Sequence, residues 1–112
     1  MKNNLNPTVL AFIRDHVDSV VDLELIVLFR KSPARTWSAA EVALELRIDS
    51  DWTRDRLTRL CAQGIIKPWS NDEVRYAYAP SIAGFDEAAA DMERAYAERR
   101  VLVLHLIYTK PQ

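Results

Sequence analysis

Residues 38–66 read SAAEVALELRIDSDWTRDRLTRLCAQGII, a run that holds two helix starts, a tight turn and a helix stop. Ser38-Ala39-Ala40-Glu41 is a capping box: the serine oxygen accepts from the helix's third amide, and the glutamate reaches back to the serine amide. The helix it opens, Ser38 to about Leu46, puts Val42, Ala43 and Leu46 on one face. That is about two and a half turns by helix geometry. Ile48-Asp49-Ser50 is a turn, and Asp49 or Ser50 caps the next helix. Thr53, Leu57, Leu60 and Cys61 then recur at spacings of four, three and one, the inward face of that helix. Gly64 stands where a left-handed C-terminal cap is wanted, and Ile65-Ile66 opens an extended segment.

Upstream, Asn6 and Pro7 suit the cap and first position of a helix to about His16. Val9, Leu10, Phe12, Ile13 and Val17 form its apolar stripe. A second helix runs from Ser19 to Lys31 and is apolar nearly all round, with Asp22 and Glu24 the interruptions, as in a buried central helix. Ser32-Pro33 stops it, because the residue before proline avoids the α region. Downstream, Trp69 to Glu73 reads as a hairpin tip with Ser70-Asn71-Asp72 as turn formers. Val74-Arg75-Tyr76-Ala77-Tyr78 alternates like a strand, and Pro80 ends it. From Ser81 a helical pattern resumes, with Ile82, Phe85, Ala89, Met92 and Tyr96 spaced three, four, three and four. This seam is too short for a coiled coil. Val101–Tyr108 is apolar at seven of eight positions, and periodicity does not separate strand from buried helix there. A helix continuing or restarting after Arg100 is the expectation.

The expected fold is mainly α with a small β-hairpin, in one domain. A winged helix-turn-helix core covers residues 19–80, an N-terminal helix 6–18 and a C-terminal helical extension 81–112. The order of helices and hairpin resembles the winged-helix proteins, and the multiple-antibiotic-resistance-regulator (MarR) type of bacterial repressor in particular. The residues that carry the resemblance are Ser38-Ala39-Ala40-Glu41-Val42-Ala43, Arg59-Leu60-Cys61-Ala62-Gln63-Gly64-Ile65-Ile66 and Val74-Arg75-Tyr76. In that family such a Leu…Gly-Ile-Ile ending closes the recognition helix and leads into the wing. The resemblance spans a little over half the chain.

It implies a transcriptional regulator that binds double-stranded DNA. The contact residues would be Trp52, Arg54, Asp55, Arg56, Thr58 and Arg59 in the recognition helix, with Lys67 and Arg75 in the wing. Arg54 and Arg59 suit guanine edges or phosphate, and aspartate reads cytosine. The resemblance also implies a homodimer made through terminal helices, here Ile82, Phe85, Ala89, Met92, Tyr96, Val103 and Leu106.

Charge supports a second reading, a winged-helix protein-interaction module or adaptor. The chain carries a formal net charge of −1. Between Ser19 and Pro80 nine basic residues face nine acidic ones. Phosphate contacts dominate affinity for DNA, so a neutral module must segregate its charges by face to bind it. The tip of the wing, Asp72-Glu73, is acidic. On the recognition helix an Asp51–Asp55–Arg59 ladder is the expected intrahelical pairing. A small-molecule pocket lined by Trp69, Tyr76, Tyr78 or Tyr96 is a third reading, with no ligand chemistry attached.

Other classes find little support. Cys61 is the single cysteine, so no internal disulfide forms, and its inward position reads as a small core hydrophobe. His16 and His105 have no acid or nucleophile at motif spacing. No phosphate-binding glycine loop, paired-carboxylate site, nucleophile elbow or HExxH occurs. An enzyme, a metal and a cofactor are therefore not expected. The most apolar stretches, Leu23–Phe29 and Val101–Tyr108, are too short to span a bilayer. Met1-Lys2-Asn3-Asn4 opens no signal peptide, and a cytoplasmic location is expected.

Overall fold

The computed structural model describes residues 5–70 and 72–109. Asn71, expected at the hairpin tip, and the Met1–Asn4 stretch lie outside them. The elements in chain order are α1 (Pro7–His16), α2 (Val20–Lys31), β1 (Thr36–Ser38), α3 (Ala39–Leu46), α4 (Ser50–Ala62), β2 (Ile66–Ser70), β3 (Val74–Tyr78), α5 (Phe85–Glu98) and α6 (Arg100–Tyr108). The described chain is thus mainly helical with a small antiparallel sheet. It divides into two compact units, Met1–Val27 with Gly84–Gln112, and Leu28–Ala83.

The first unit is helical. Asn6 caps α1, its side-chain oxygen accepting from the amides of Thr8 at 2.7 Å and Val9 at 3.1 Å. Ser19 caps α2 by accepting from the Asp22 amide at 3.3 Å, and the Asp22 carboxylate accepts from the Asp18 amide at 2.9 Å. That local loop of hydrogen bonds explains an aspartate buried in so apolar a helix. α1 packs on α5 and α6, and the rings of Phe12 and Phe85 meet at 5.0 Å with His16 against both. Val9, Ile13, Val17, Leu23, Ile26, Ala89, Met92, Val103 and Ile107 are buried.

Two expectations resolve here. Val101–Tyr108 is a helix, with Val103 and Ile107 one turn apart on its inward side. Helical structure after the hairpin begins at Phe85, later than Ser81, because Gly84 adopts a left-handed φ of +75° immediately before it. Ile82 therefore stands outside α5 and is 38% exposed, whereas Ala95 joins the buried face.

The second unit contains β1, α3, α4, β2 and β3. Its sheet has the order β1-β3-β2, with both pairings antiparallel. Trp37 lies opposite Tyr76, and Tyr76 lies opposite Pro68. Of this sheet, only the β2–β3 hairpin is expected from the sequence. β1 escapes that reading because three residues are too few to display alternation, and its partner is far along the chain. The central position belongs to β3, so the hairpin is secured on both sides of that strand.

α3 and α4 pack on each other, and both touch the sheet. Phe29, Trp37, Val42, Thr53, Leu57, Leu60, Ile65 and Ile66 are buried. Trp37 packs edge-on against Phe29 at 6.5 Å, and the Arg35 guanidinium covers its ring at 3.4 Å. α4 ends in a Schellman motif: the Ile65 amide donates to the Leu60 carbonyl and the Gly64 amide to the Cys61 carbonyl, both at 3.0 Å. Gly64 has a φ of +80°, and a Cβ there would strike the Ser81 hydroxyl. Ser81 itself donates its amide to the Gly64 carbonyl at 2.8 Å, so the entry to β2 and the exit from β3 are stitched together.

Candidate nucleic-acid interface

The turn between α3 and α4 is built by three local devices. The capping box at Ser38 is complete: Glu41 donates its amide to the Ser38 hydroxyl oxygen, and Ser38 donates its amide to the Glu41 carboxylate, both at 3.1 Å. α3 closes with Arg47 in the left-handed region, φ 59°, and the Ile48 amide returns to the Ala43 carbonyl at 3.0 Å. Asp49 then caps α4, accepting from the Trp52 amide at 2.8 Å. Thr53 is fully buried and donates its hydroxyl to the Asp49 carbonyl at 2.6 Å, which satisfies the one polar group on the inward face.

With Thr53, Leu57 and Leu60 turned inward, α4 exposes Asp51, Trp52, Arg54, Asp55, Thr58 and Arg59. These are the residues expected to face a partner, and Arg56 joins them half-buried at the flank. The Arg56 guanidinium lies 5.6 Å from the Trp52 ring. Thr58 donates its hydroxyl to the Arg54 carbonyl at 3.0 Å. Of the acids in the expected Asp51–Asp55–Arg59 ladder, Asp51 pairs with Arg54 at 3.2 Å, one turn away. The charge pattern is mixed. Asp49 and Asp51 sit at the positive N-terminal end of α4, which stabilises the helix and weakens its pull on phosphate.

On the hairpin, Lys67, Trp69, Asp72, Glu73 and Val74 are exposed, and Trp69 is the most open tryptophan at 62%. Arg75, expected as a backbone contact, is engaged by groups of the protein itself. Its guanidinium donates to the Glu41 carboxylate at 2.6 Å, to Glu73 at 2.7 Å, to the Thr36 carbonyl at 2.9 Å and to the Thr36 hydroxyl at 2.8 Å. Two carboxylates already neutralise it, and its donors are directed into the fold. The hydrogen bond to Glu41 raises the Arg75 pKa most, and Glu73 adds to it against an opposing desolvation. Sequence reasoning missed Glu41 and Thr36 as its partners. They lie 34 and 39 residues away, and only the β1–β3 register brings them close.

The residues expected at a dimer seam fall into two groups. Phe85, Ala89, Met92 and Val103 are buried within the chain itself. Ile82 is exposed, and Tyr96 and Leu106 are partly so. The largest apolar exposures on α6 are instead Val101 at 80% and Tyr108 at 73%. Cys61 is half-buried, and burial raises its thiol pKa, so it stays protonated near neutrality. Among the described residues, no three His, Cys, Asp or Glu side chains gather to hold a metal ion. No helix among them is long and apolar enough to cross a membrane. No family model, curated protein or solved structure matches the chain.

Proposed function

We propose that Val20–Tyr78 is a winged helix-turn-helix and that the protein is a transcriptional regulator docking α4 into the major groove of double-stranded DNA. The element order α2-β1-α3-α4-β2-β3 supports the fold reading. The observation that carries the functional one is the two-sidedness of α4: its inner side is fully buried, and its outer side presents Arg54, Thr58 and Arg59 together. Arg54 and Arg59 are the groups for guanine edges or phosphate, and Lys67 on β2 adds a backbone contact. Arg75 contributes rigidity to the wing. Two copies would present two such helices about one helical turn, roughly 34–36 Å, apart on DNA.

A salt titration on random and genomic duplexes tests this reading. Binding at low salt should weaken linearly in log–log form as salt rises, and Arg54→Ala should weaken it further. No binding at low salt overturns it. A second reading, an adaptor for another protein, draws on the hairpin tip, where exposed Trp69 lies near acidic Asp72 and Glu73. Its signature would be one stoichiometric protein partner, lost on Trp69→Ser, and no DNA.

A further inference from the structure

α6 is more apolar than its own chain needs. Seven of the eight residues Val101–Tyr108 are apolar, yet only Val103 and Ile107 are buried. Val101, His105 and Tyr108 are exposed on the side opposite those two, with Leu104 half-buried at its flank. Their spacing, three, one and three, is the stripe with which one helix packs on another, and His105 is the one polar group in it.

The two ends of the stripe differ in shape. Where α5 ends and α6 begins, an open hollow of about 610 Å³ is lined by apolar Ala97, Val101 and Leu102 and by charged Glu98, Arg99 and Arg100. At the other end the Tyr108 ring projects into solvent. Val101 and Tyr108 lie seven residues, about 10 Å, apart along the helix axis. Among the described residues neither Arg99 nor Arg100 has an ion pair, and Arg100 lies over the Tyr96 ring at 4.8 Å. The hollow thus offers an aromatic ring both apolar walls and a guanidinium.

We infer that the outer face of α6 is the contact between two copies of this chain, paired antiparallel about a two-fold axis beside Leu104 and His105. In such a pairing each patch meets itself, so a knob at one end of a helix needs a hole at the other. Each Tyr108 then enters the hollow of the other copy. A parallel pairing would set Tyr108 on Tyr108 and bring the arginines of both copies together. The antiparallel one keeps those arginines at opposite ends, puts Arg99 beside the incoming ring and lays the basic start of α6 against the negative C-terminal end of its copy. Most of the expected seam is spent inside the chain, so this contact uses other residues. It is small: the face of a nine-residue helix falls below the roughly 1,200 Å² of stable complexes, which places its strength in the micromolar range. The inference does not rest on α4 entering DNA.

Light scattering of the full chain over a concentration series, without DNA, tests it. A dimer should form as concentration rises through the micromolar range. Tyr108→Ser alters an exposed residue, so the variant stays folded, which circular dichroism confirms. It should raise the dimer Kd about tenfold or more, as loss of an aromatic anchor does. Cross-linking reads the direction. In a Cys61→Ser background, a mixture of Val101→Cys and Tyr108→Cys chains should form a disulfide-linked pair under mild oxidation, and Val101→Cys alone should not. A chain that stays monomeric into the millimolar range overturns the inference, and so does a dimer that Tyr108→Ser leaves unchanged. Cross-linking of Val101→Cys with itself overturns the antiparallel pairing. Binding to phosphatidylglycerol vesicles by a chain that remains monomeric overturns the inference in favour of a lipid surface.

Discussion

The Arg75 guanidinium on β3 donates to the Glu41 carboxylate at 2.6 Å, and that same carboxylate oxygen accepts the Ser38 amide that closes the N-terminus of α3. One acid thus serves a helix cap and a cross-sheet clamp together. Glu41→Gln keeps an acceptor for the cap and removes the charge, whereas Glu41→Ala removes both. The alanine variant should have the lower melting temperature. Arg75→Ala and Glu41→Gln should combine non-additively in thermal melts, because each already removes the same ion pair.

Glu41 also sets a direction for acid stability. Its carboxyl is held below its ordinary value of 4.5, chiefly by the Ser38 amide, with Arg75 adding to the effect and partial desolvation opposing it. A carboxyl lowered on folding stabilises the native state fully above its unfolded value. That contribution fades as pH falls through the lowered folded value. Melts from pH 7 down to pH 3 should fall more steeply for the wild type than for Glu41→Gln.

Arginines on α4 and on the hairpin should separate in DNA binding. Arg54→Ala and Arg59→Ala should each flatten the dependence of log affinity on log salt, by about 1 if each removes one phosphate contact. Arg75→Ala should leave that slope unchanged at temperatures where it is folded. Equal effects from all three would place the wing arginine on DNA and contradict its neutralisation by Glu41 and Glu73.

Two left-handed residues should respond in opposite senses. Gly64→Ala introduces a Cβ at a φ of +80° and against Ser81, and should destabilise by about 1–2 kcal/mol or more. Arg47 occupies the left-handed region with a full side chain, so Arg47→Gly should stabilise by up to about 1 kcal/mol. Urea unfolding of both variants measures the contrast.

The three tryptophans give a solution check on the fold. Iodide should quench Trp69 strongly, Trp52 partly and Trp37 little, following exposures of 62%, 39% and 3%. Trp69→Phe should remove most of the quenchable emission without lowering the melting temperature.

Local signals were the ones legible in the sequence. Asn6, Ser38, Asp49 and Gly64 mark helix ends with their own side chains or their lack of one, and each stands at the end it announces. The helical pattern that resumes at Ser81 gives no sign of where the helix starts, because apolar spacing does not register the backbone break at Gly84 three residues on. β1 and the fate of Arg75 were illegible for a shared reason: both depend on pairing between residues nearly forty positions apart. On the site side, the exposed face of α4 followed from its inward period, but the hollow at the start of α6 did not. It needs the end of α5 and the first turns of α6 in place at once, and no spacing within one segment encodes that.

The strand order β1-β3-β2 carries a consequence for how the chain reaches its native state. The β2–β3 hairpin joins near neighbours and can form early, but a lone two-stranded hairpin is marginal in water. Its third strand arrives only when Thr36 meets Ala77, and closing so long a loop is slow compared with forming the helices between them. The hairpin should therefore flicker until β1 docks, and hydrogen exchange should find its amides acquiring protection after those of α3 and α4.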